Sequence, residues 1–211
     1  MTMSTAIPTL RLPLDLADVR ALRAGDMVLL EGEIVITAGL PTHLRLIECV
    51  EGKRDLPRDL AGAALFHLGS YSRETPQGFE VLYMNPTTST RFNPLMPRLI
   101  RHFGLRAVGG KGGLDRASAE AMRETGCVYF SFVGGGCPLL SDAIREVLSV
   151  HWNDLVSHYR LVTLRVAALG PVTIGIDAHG NSLYERLSAA AEARLPAILA
   201  RLAAERGTPP G

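Results

Sequence analysis

LMPRLIRHFGLRAVGGKGGLDRASAEAMRETGCVYFSFVGGG, residues 95–136, is the stretch of sequence that decides the fold class. Apolar residues recur at helical spacing over 95–104 and 115–126, and each of these segments closes on a glycine, a typical helix end. The segments that follow them, 105–110 and 127–136, are short, largely apolar and end in glycines, which predicts strands. Helices that alternate with strands in this way indicate an α/β fold.

Further elements are predicted on both sides of this centre. Helices are predicted over 14–23, 42–52 and 138–150, and a long helix, bent or broken at Pro196, over 182–206. Strands are predicted over 63–70 and 79–84, with pairs of short strands over 27–37, hinged near Gly32, and over 161–177, hinged at Gly170-Pro171. We find no internal repeat and no clean linker. We therefore expect one α/β domain with mixed sheets over residues 1–211, in which 186–211 form a C-terminal helical extension.

The composition excludes several classes of protein. Of the 211 residues, 47% are hydrophobic and 20% are charged, which excludes bulk disorder. A net charge of +1 gives no global field that would recruit nucleic acid or a membrane surface. No window approaches the ~18 apolar residues of a membrane span, and the first residues do not resemble a signal peptide. With three scattered cysteines we expect a cytoplasmic protein.

Lysine is rare in this chain: of the 22 basic residues, only Lys53 and Lys111 are lysines. Lys53 lies in a charged turn and is expected to be a surface residue. Lys111 lies in GGKGG (109–113) after a predicted strand, where open α/β sheets bind their ligands. The segment matches neither the Walker nor the dinucleotide-binding pattern. Two interpretations stay open: glycines that only build a tight turn, or an amine held open for an anion or for acid–base chemistry.

A second candidate site is PTTSTR (86–91), in which four hydroxyl side chains and an arginine precede a predicted helix. A helix N-terminus offers free N–H groups to an anion, and a guanidinium pairs a carboxylate through two hydrogen bonds. Helix capping is the alternative, but a single Ser or Thr would suffice for it. The excess of hydroxyl groups favours an anion site.

The sequence shows no pattern of metal ligands. The six histidines lack metal-ligand spacing, and no Ser/His/Asp order or pair of carboxylates stands out. The three cysteines, Cys49, Cys127 and Cys137, are numerous enough for an iron–sulfur cluster, but two of them fall in apolar patterns. Buried, inert thiols are therefore favoured over cluster ligands, and we predict no metal site in this chain.

Six segments, correctly ordered along the chain, resemble one protein family. They are GDMVLLEGEIVITA (25–38), DLAGAALFHLGS (59–70), NPTTSTRF (85–92), VGGKGGL (108–114), VHWNDL (150–155) and IDAHGNSLYE (176–185). The sequence is similar to the beta subunit of L(+)-tartrate dehydratase and to the C-terminal domain of class I, iron–sulfur-dependent fumarate hydratase. The pair PTTSxR and GKGG is the most specific part of the match, and VHW and DAHGN favour the tartrate dehydratase side.

The resemblance implies a swivelling β/β/α domain that closes over a site on a partner chain. That partner, an alpha subunit, would carry a [4Fe-4S] cluster on three cysteines of its own, and its open iron would act as a Lewis acid on the substrate hydroxyl. The implied activity is that of a hydro-lyase, which reversibly dehydrates a 2-hydroxy (di)carboxylic acid such as tartrate or malate. The implied assembly is a dimer of alpha–beta pairs.

The family motifs also imply roles for residues of this chain. Thr87 and Thr88 would hydrogen-bond the substrate or the base, and Arg91 would clamp a carboxylate. Lys111 would stabilise the charge that develops on the enolate-like carboxylate. His43 and Arg45 match the end of a family pattern, Arg-Asp-x-x-His-x-Arg, and would belong to the substrate site.

The same comparison shows two departures from the family pattern. Gly39 stands where the family has the substrate-facing arginine, and Asn85 replaces a glycine. We expect the missing side chain to leave room for a bulkier or less charged hydroxy acid; otherwise Arg45 must balance the second carboxylate of a dicarboxylate. A non-catalytic partner domain is the further alternative.

Overall fold

The computed structural model describes residues 6–206, which form a seven-stranded sheet, a two-stranded hairpin and several helices. The strands are β1 (Thr9–Leu12), β2 (Met27–Ile36), β3 (Ala64–Phe66), β4 (Leu68–Thr75), β5 (Gly78–Pro86), β6 (Ala107–Gly110), β7 (Val128–Ser131), β8 (Ile144–His151) and β9 (Leu161–Ile176). The α-helices are α1 (Leu16–Ala21), α2 (Leu40–Val50), α3 (Met96–Phe103), α4 (Arg116–Thr125), α5 (Cys137–Ser141) and α6 (Leu183–Arg206). Short 3-10 helices cover Ser89–Phe92 and Ser157–Tyr159. The expected α/β class, with mixed sheets and a C-terminal helix, is confirmed.

Seven strands form one sheet in the order β1-β2-β3-β6-β7-β9-β8. Strands β1, β2, β3, β6 and β7 are parallel to one another, and β9 runs antiparallel to β7 and β8. An additional antiparallel pairing of β9 with β2 closes β2, β3, β6, β7 and β9 into a ring. Since β3, β6 and β7 are parallel, the loops that follow them lie at the same edge. Strands β4 and β5 form a separate antiparallel hairpin.

The core is divided by the sheet into two clusters. Successive residues of a strand point to opposite faces: Phe66 and Phe130 belong to one cluster, and their neighbours Leu65 and Tyr129 belong to the other. The second cluster also contains the apolar faces of α3 and α4. Hydrophobic residues therefore cover both faces of the central strands. Burial on both faces explains why the sequences of these strands are almost continuously apolar.

The predicted helix over 138–150 is wrong in its second half. Helix α5 ends at Ser141, and the chain continues as β8, which pairs antiparallel with β9. Apolar residues there fit either a strand or a helix, and pairing with an available sheet edge decides between them. Strand β1 was not predicted.

Strands β2 and β9 are single strands rather than the predicted pairs of short ones. Their pairing continues along both strands and is interrupted only by register shifts, one of which ends at Gly32. Gly32 has φ +116°, and a Cβ there would lie 2.3 Å from the carbonyl oxygen of Leu12. The glycine therefore marks a β-bulge and a close approach of β1, not the end of a strand.

Helix α6 continues through Pro196, so the predicted break is absent, and none of its residues is buried. The predicted extension is helical over 186–206, and residues 207–211 lie outside the described part. Between residues 6 and 206, no helix is long and apolar enough to cross a membrane.

Removal of residues 188–211 is expected to change the free energy of unfolding by less than about 1 kcal/mol, or roughly 2–4 °C in Tm, because no side chain of α6 is buried. Thermal unfolding followed by circular dichroism measures this change. Tyr184→Ala is the matched comparison at the base of the helix. Tyr184 packs edge-on against Tyr129 and donates to Ser131, so its loss should cost more than the whole truncation. A larger Tm loss on truncation would show that α6 stabilises the domain.

Candidate functional site at the ends of β3, β5 and β6

Backbone hydrogen bonds join the two predicted motifs at one edge of the sheet. The Thr87 N–H donates to His67 O (2.8 Å) and the Lys111 N–H to Thr87 O (3.0 Å). The Ser89 N–H then donates to Lys111 O (2.8 Å), so that Thr88 and Lys111 form a parallel bridge. The segments 86–91 and 109–113, well separated along the chain, are thus held side by side.

Four of the predicted site residues lie together there. Lys111 Nζ donates to Thr88 Oγ1 at 2.8 Å, and Arg91 Nη2 donates to Thr87 Oγ1 at 3.1 Å. Within residues 6–206, neither cation forms an ion pair with a carboxylate, whereas the other lysine, Lys53, pairs with Glu51. Two cations that are oriented by hydroxyl groups and left without a counter-ion are suited to bind an anion.

The glycines beside Lys111 are needed for this close approach. A Cβ on Gly110 would lie 2.2 Å from Ser89 Oγ, and one on Gly113 would lie 2.5 Å from the Tyr184 ring. Gly112 and Gly113 also have φ values of +80° and +79°, which L-residues rarely adopt. The tight-turn interpretation of GGKGG therefore applies, and the turn brings Lys111 to Thr88, whereas a role of the amine toward an anion or in acid–base chemistry stays a prediction.

A buried polar network supports the 86–91 segment from behind. Ser89 Oγ contacts His67 Nδ1 at 2.7 Å and Tyr129 OH at 2.8 Å. The His43 ring stacks on Phe92 with centroids 3.9 Å apart and lies 5.1 Å from the His67 ring. Both histidines are fully buried, and within the described chain the Nε2 atom of each has no hydrogen-bond partner. Desolvation lowers the pKa of His43 to about 4 and the pKa of His67 well below its usual value, so both rings are neutral at pH 7.

This geometry does not support direct contact between His43 and a substrate. Its ring is enclosed by Phe92 and His67, and its Nδ1 lies 2.6 Å from Gly39 O within helix α2. A ring with no solvent access can act on the site only through the loop that it packs against.

Arg45 is also separated from the Thr87–Lys111 group. Its guanidinium forms two hydrogen bonds with the Asp154 carboxylate and lies 5.7 Å from the centroid of the Trp152 ring. The hydrogen bonds from Arg45 lower the pKa of the exposed Asp154 carboxyl to about 2. The two terminal nitrogens of the guanidinium already donate to the two carboxylate oxygens of Asp154. The expectation that Arg45 balances a second substrate carboxylate is therefore not supported.

A cavity of about 280 Å³ opens beside Arg91. Thr87 and Arg91 form part of its wall, and another part is formed by His158 and Tyr159 of the Ser157–Tyr159 turn and by Tyr83 of strand β5. Sequence reasoning missed these three residues, because nothing in their local pattern distinguishes them from surface aromatics.

The room expected at Gly39 is already filled. A Cβ on Gly39 would lie 2.6 Å from Tyr159 Cβ and 2.9 Å from Tyr159 Cα. The hydroxyl groups of Thr37 and Thr42 both donate to Tyr159 O and hold that backbone in place. Gly39 therefore accommodates Tyr159 and does not enlarge the pocket, which corrects the sequence-based expectation.

The cysteines of this chain do not fit an iron–sulfur cluster. Cys127 is fully buried in the core, where desolvation raises the pKa of its thiol far above the usual value. Cys49 donates to Asp55 O from α2, and Cys137 lies beside Ser141 in α5. Between residues 6 and 206, no three His, Cys, Asp or Glu side chains converge as metal ligands. No step of the chemistry is therefore assigned to a metal held by this chain.

The chain belongs to the family described as fumarase C-terminus, whose model matches residues 5–187. It is 33% identical over 187 residues to the L(+)-tartrate dehydratase beta subunit of Escherichia coli, covering 88% of this chain and 91% of that protein. A Methanocaldococcus jannaschii protein provisionally given the same name is 32% identical over 81% of this chain and 88% of its own length. A Geobacillus stearothermophilus protein, provisionally named fumarate hydratase class I, is 34% identical over 84% of this chain and 33% of its own length. Enzymes with these names are hydro-lyases.

Proposed function

We propose that this chain is the beta subunit of a hydro-lyase that reversibly dehydrates a small 2-hydroxy acid. The observation that carries the proposal is the adjacent placement of Lys111 and Arg91, each held by a threonine hydroxyl and neither paired with a carboxylate in the described part of the chain. The names of the relatives support the same reaction class.

Each member of the group has a role in this proposal. Arg91 binds a substrate carboxylate through its guanidinium, and the Thr87 hydroxyl, which accepts from Arg91, fixes its direction. Lys111 lies beside the carboxylate that gains negative charge when the adjacent carbon loses its proton, and it stabilises that charge. Thr88 orients the Lys111 amine. His43 positions the loop through Phe92, and Arg45 fixes the 152–154 segment.

The complete enzyme, in this proposal, includes a second subunit. A [4Fe-4S] cluster, which the family implies and the cysteines of this chain do not fit, is assigned to an alpha subunit. We expect the edge that carries Lys111 and Arg91 to face that subunit and two alpha–beta pairs to associate in the cytoplasm. Nucleic acid and membranes are not among the proposed partners.

The chain purified alone under anaerobic conditions, with iron and sulfide supplied, is expected to stay colourless and to turn over neither tartrate nor malate. The physical reason is that Cys127 is fully buried and that, within residues 6–206, no three His, Cys, Asp or Glu side chains converge as metal ligands. Iron content, the visible spectrum and product formation are measured with and without the co-expressed alpha subunit. A brown protein with stoichiometric iron, or turnover by the chain alone, would refute the proposal that the alpha subunit holds the cluster.

A further inference from the structure

We propose that the substrate is a 2,3-dihydroxy acid with a single carboxylate and an uncharged, hydroxylated tail, and that Tyr159 selects that tail. The inference rests on the proposed hydro-lyase function and specifies the substrate class of the same site. Its basis is the cavity beside Arg91, whose far wall consists of Tyr83, His158 and Tyr159.

The charges around the cavity favour one carboxylate. Arg91 is the only Arg or Lys among the residues that line it. Lys111 is directed to Thr88, and the guanidinium of Arg45 is occupied by Asp154. A second carboxylate placed against the far wall would lose water and meet no Lys or Arg among the residues that line the cavity apart from Arg91, which is costly for a buried charge.

The far wall is suited to a hydroxylated tail. Tyrosine combines a flat apolar face with a hydroxyl group. The Nδ1 of His158 lies 3.1 Å from Ser70 O, and its other ring nitrogen, Nε2, is a further hydrogen-bonding group. Tyr83 packs between Tyr71 and His158, with ring centroids 6.2 and 6.3 Å away. Asn85 also lines the cavity and adds an amide. These groups can hydrogen-bond hydroxyl groups without requiring a charge.

The wall is also rigid where it matters for selection. Tyr159 is held through its backbone by Thr37 and Thr42, and its Cβ packs directly against Gly39. A backbone fixed in this way keeps the start of the Tyr159 side chain at the cavity wall, so less freedom is lost when a ligand binds there.

A single carboxylate is sufficient for the chemistry of such a substrate. The proton on C2 is acidified by the adjacent carboxylate, and its removal leaves an electron pair that forms the C2–C3 double bond. The C3–O bond breaks, and the hydroxide leaves with a proton as water. The resulting enol tautomerises to a 2-keto-3-deoxy acid, with no oxidant or reductant required. In the proposed function, Lys111 stabilises the charge that develops on that carboxylate.

The test uses the complex of this chain with its alpha subunit and four probes: threonate and gluconate, with one carboxylate, and tartrate and malate, with two. We expect kcat/KM to be at least 10-fold higher for one of the monocarboxylates than for either dicarboxylate. Tyr159→Ala, which keeps the Cβ that packs on Gly39, should lower kcat/KM for that monocarboxylate at least 10-fold while tartrate turnover changes less than about 3-fold. Tyr159→Phe should show a smaller loss in the same direction. Tyr71→Phe, on the outer side of Tyr83, is the matched control.

The outcomes separate the two proposals. Turnover of tartrate or malate without turnover of the monocarboxylates, or equal losses on both classes in Tyr159→Ala, overturns the inference and leaves the hydro-lyase function standing. No turnover of any probe by a complex with its full iron content overturns both. Circular dichroism of each variant establishes that the domain is folded.

Discussion

Replacing Lys111 with arginine should lower kcat of the alpha–beta complex by about 100-fold or more, the loss expected for one preorganised donor in the transition state. The substitution keeps the positive charge. It places a branched guanidinium where Lys111 Nζ now reaches Thr88 Oγ1 at 2.8 Å, in a turn whose glycines leave little space. A Cβ on Gly134 would already lie 3.4 Å from Lys111 Cδ. The charge would therefore be displaced from the position where it is needed.

Lys53→Arg is the matched control for that experiment, because Lys53 is the only other lysine of the chain. Its side chain is 69% exposed and pairs with Glu51, away from the sheet edge that carries Lys111. This variant should keep wild-type kcat and KM. Single-turnover and steady-state rates for both variants, together with thermal unfolding, measure the effect. Near-normal turnover by a folded Lys111→Arg enzyme would give Lys111 a structural role only.

The sequence identifies the two motifs of the candidate site, because the determinants of each motif are local, and the roles of their residues stay predictions. Hydroxyl groups in 86–91 and glycines in 109–113 are features of single segments, and the α/β order of the central stretch places 109–113 after a strand, where such sheets bind their ligands. Their adjacency then follows from parallel pairing of β3 with β6 and from the Thr88–Lys111 bridge.

The far wall of the cavity cannot be predicted in the same way. Tyr159 reaches Gly39 because the Ser157–Tyr159 turn folds back onto the start of α2, a contact between segments far apart in the chain. The same limit applies to β8, whose apolar residues became a strand because an edge of β9 was free to pair. For Arg45 the error is of the opposite kind, because the family pattern identifies the arginine but not the Asp154 carboxylate that it binds.

The two buried histidines affect both the geometry of the candidate site and the stability of the domain. His43 packs on Phe92, and His67 contacts Ser89, so both support the loop that carries Thr87 and Arg91. The Nδ1 of His43 faces a carbonyl oxygen and therefore carries the proton, which leaves Nε2 unprotonated and without a partner in the part of the chain described. Protonation of either ring would create a buried charge with no counter-ion.

Acidification from pH 7 should therefore destabilise the protein before most carboxylates titrate. The pKa of His43 is about 6.5 in the unfolded chain and about 4 in the folded one, so between these values the unfolded state binds more protons and stability rises with pH. The contribution of His43 is complete above about pH 6.5 and is lost as the pH falls toward 4, on the order of 3 kcal/mol in total. His67 acts in the same direction, because burial also lowers its pKa.

Urea unfolding of the wild type and of His43→Phe at pH 7.5, 6, 5 and 4.5 tests this account. Phenylalanine keeps the ring stacked on Phe92 and removes one titrating group, so the pH slope of the unfolding free energy near pH 5 should fall by up to about 1.4 kcal/mol per pH unit. His102→Gln, at an exposed position of α3, is the matched control and should keep the wild-type slope. The same slope in wild type and His43→Phe would mean that the pKa of His43 does not differ between the folded and the unfolded protein. In that case the acid sensitivity of the site would belong to His67 and the loop residue that it contacts, Ser89.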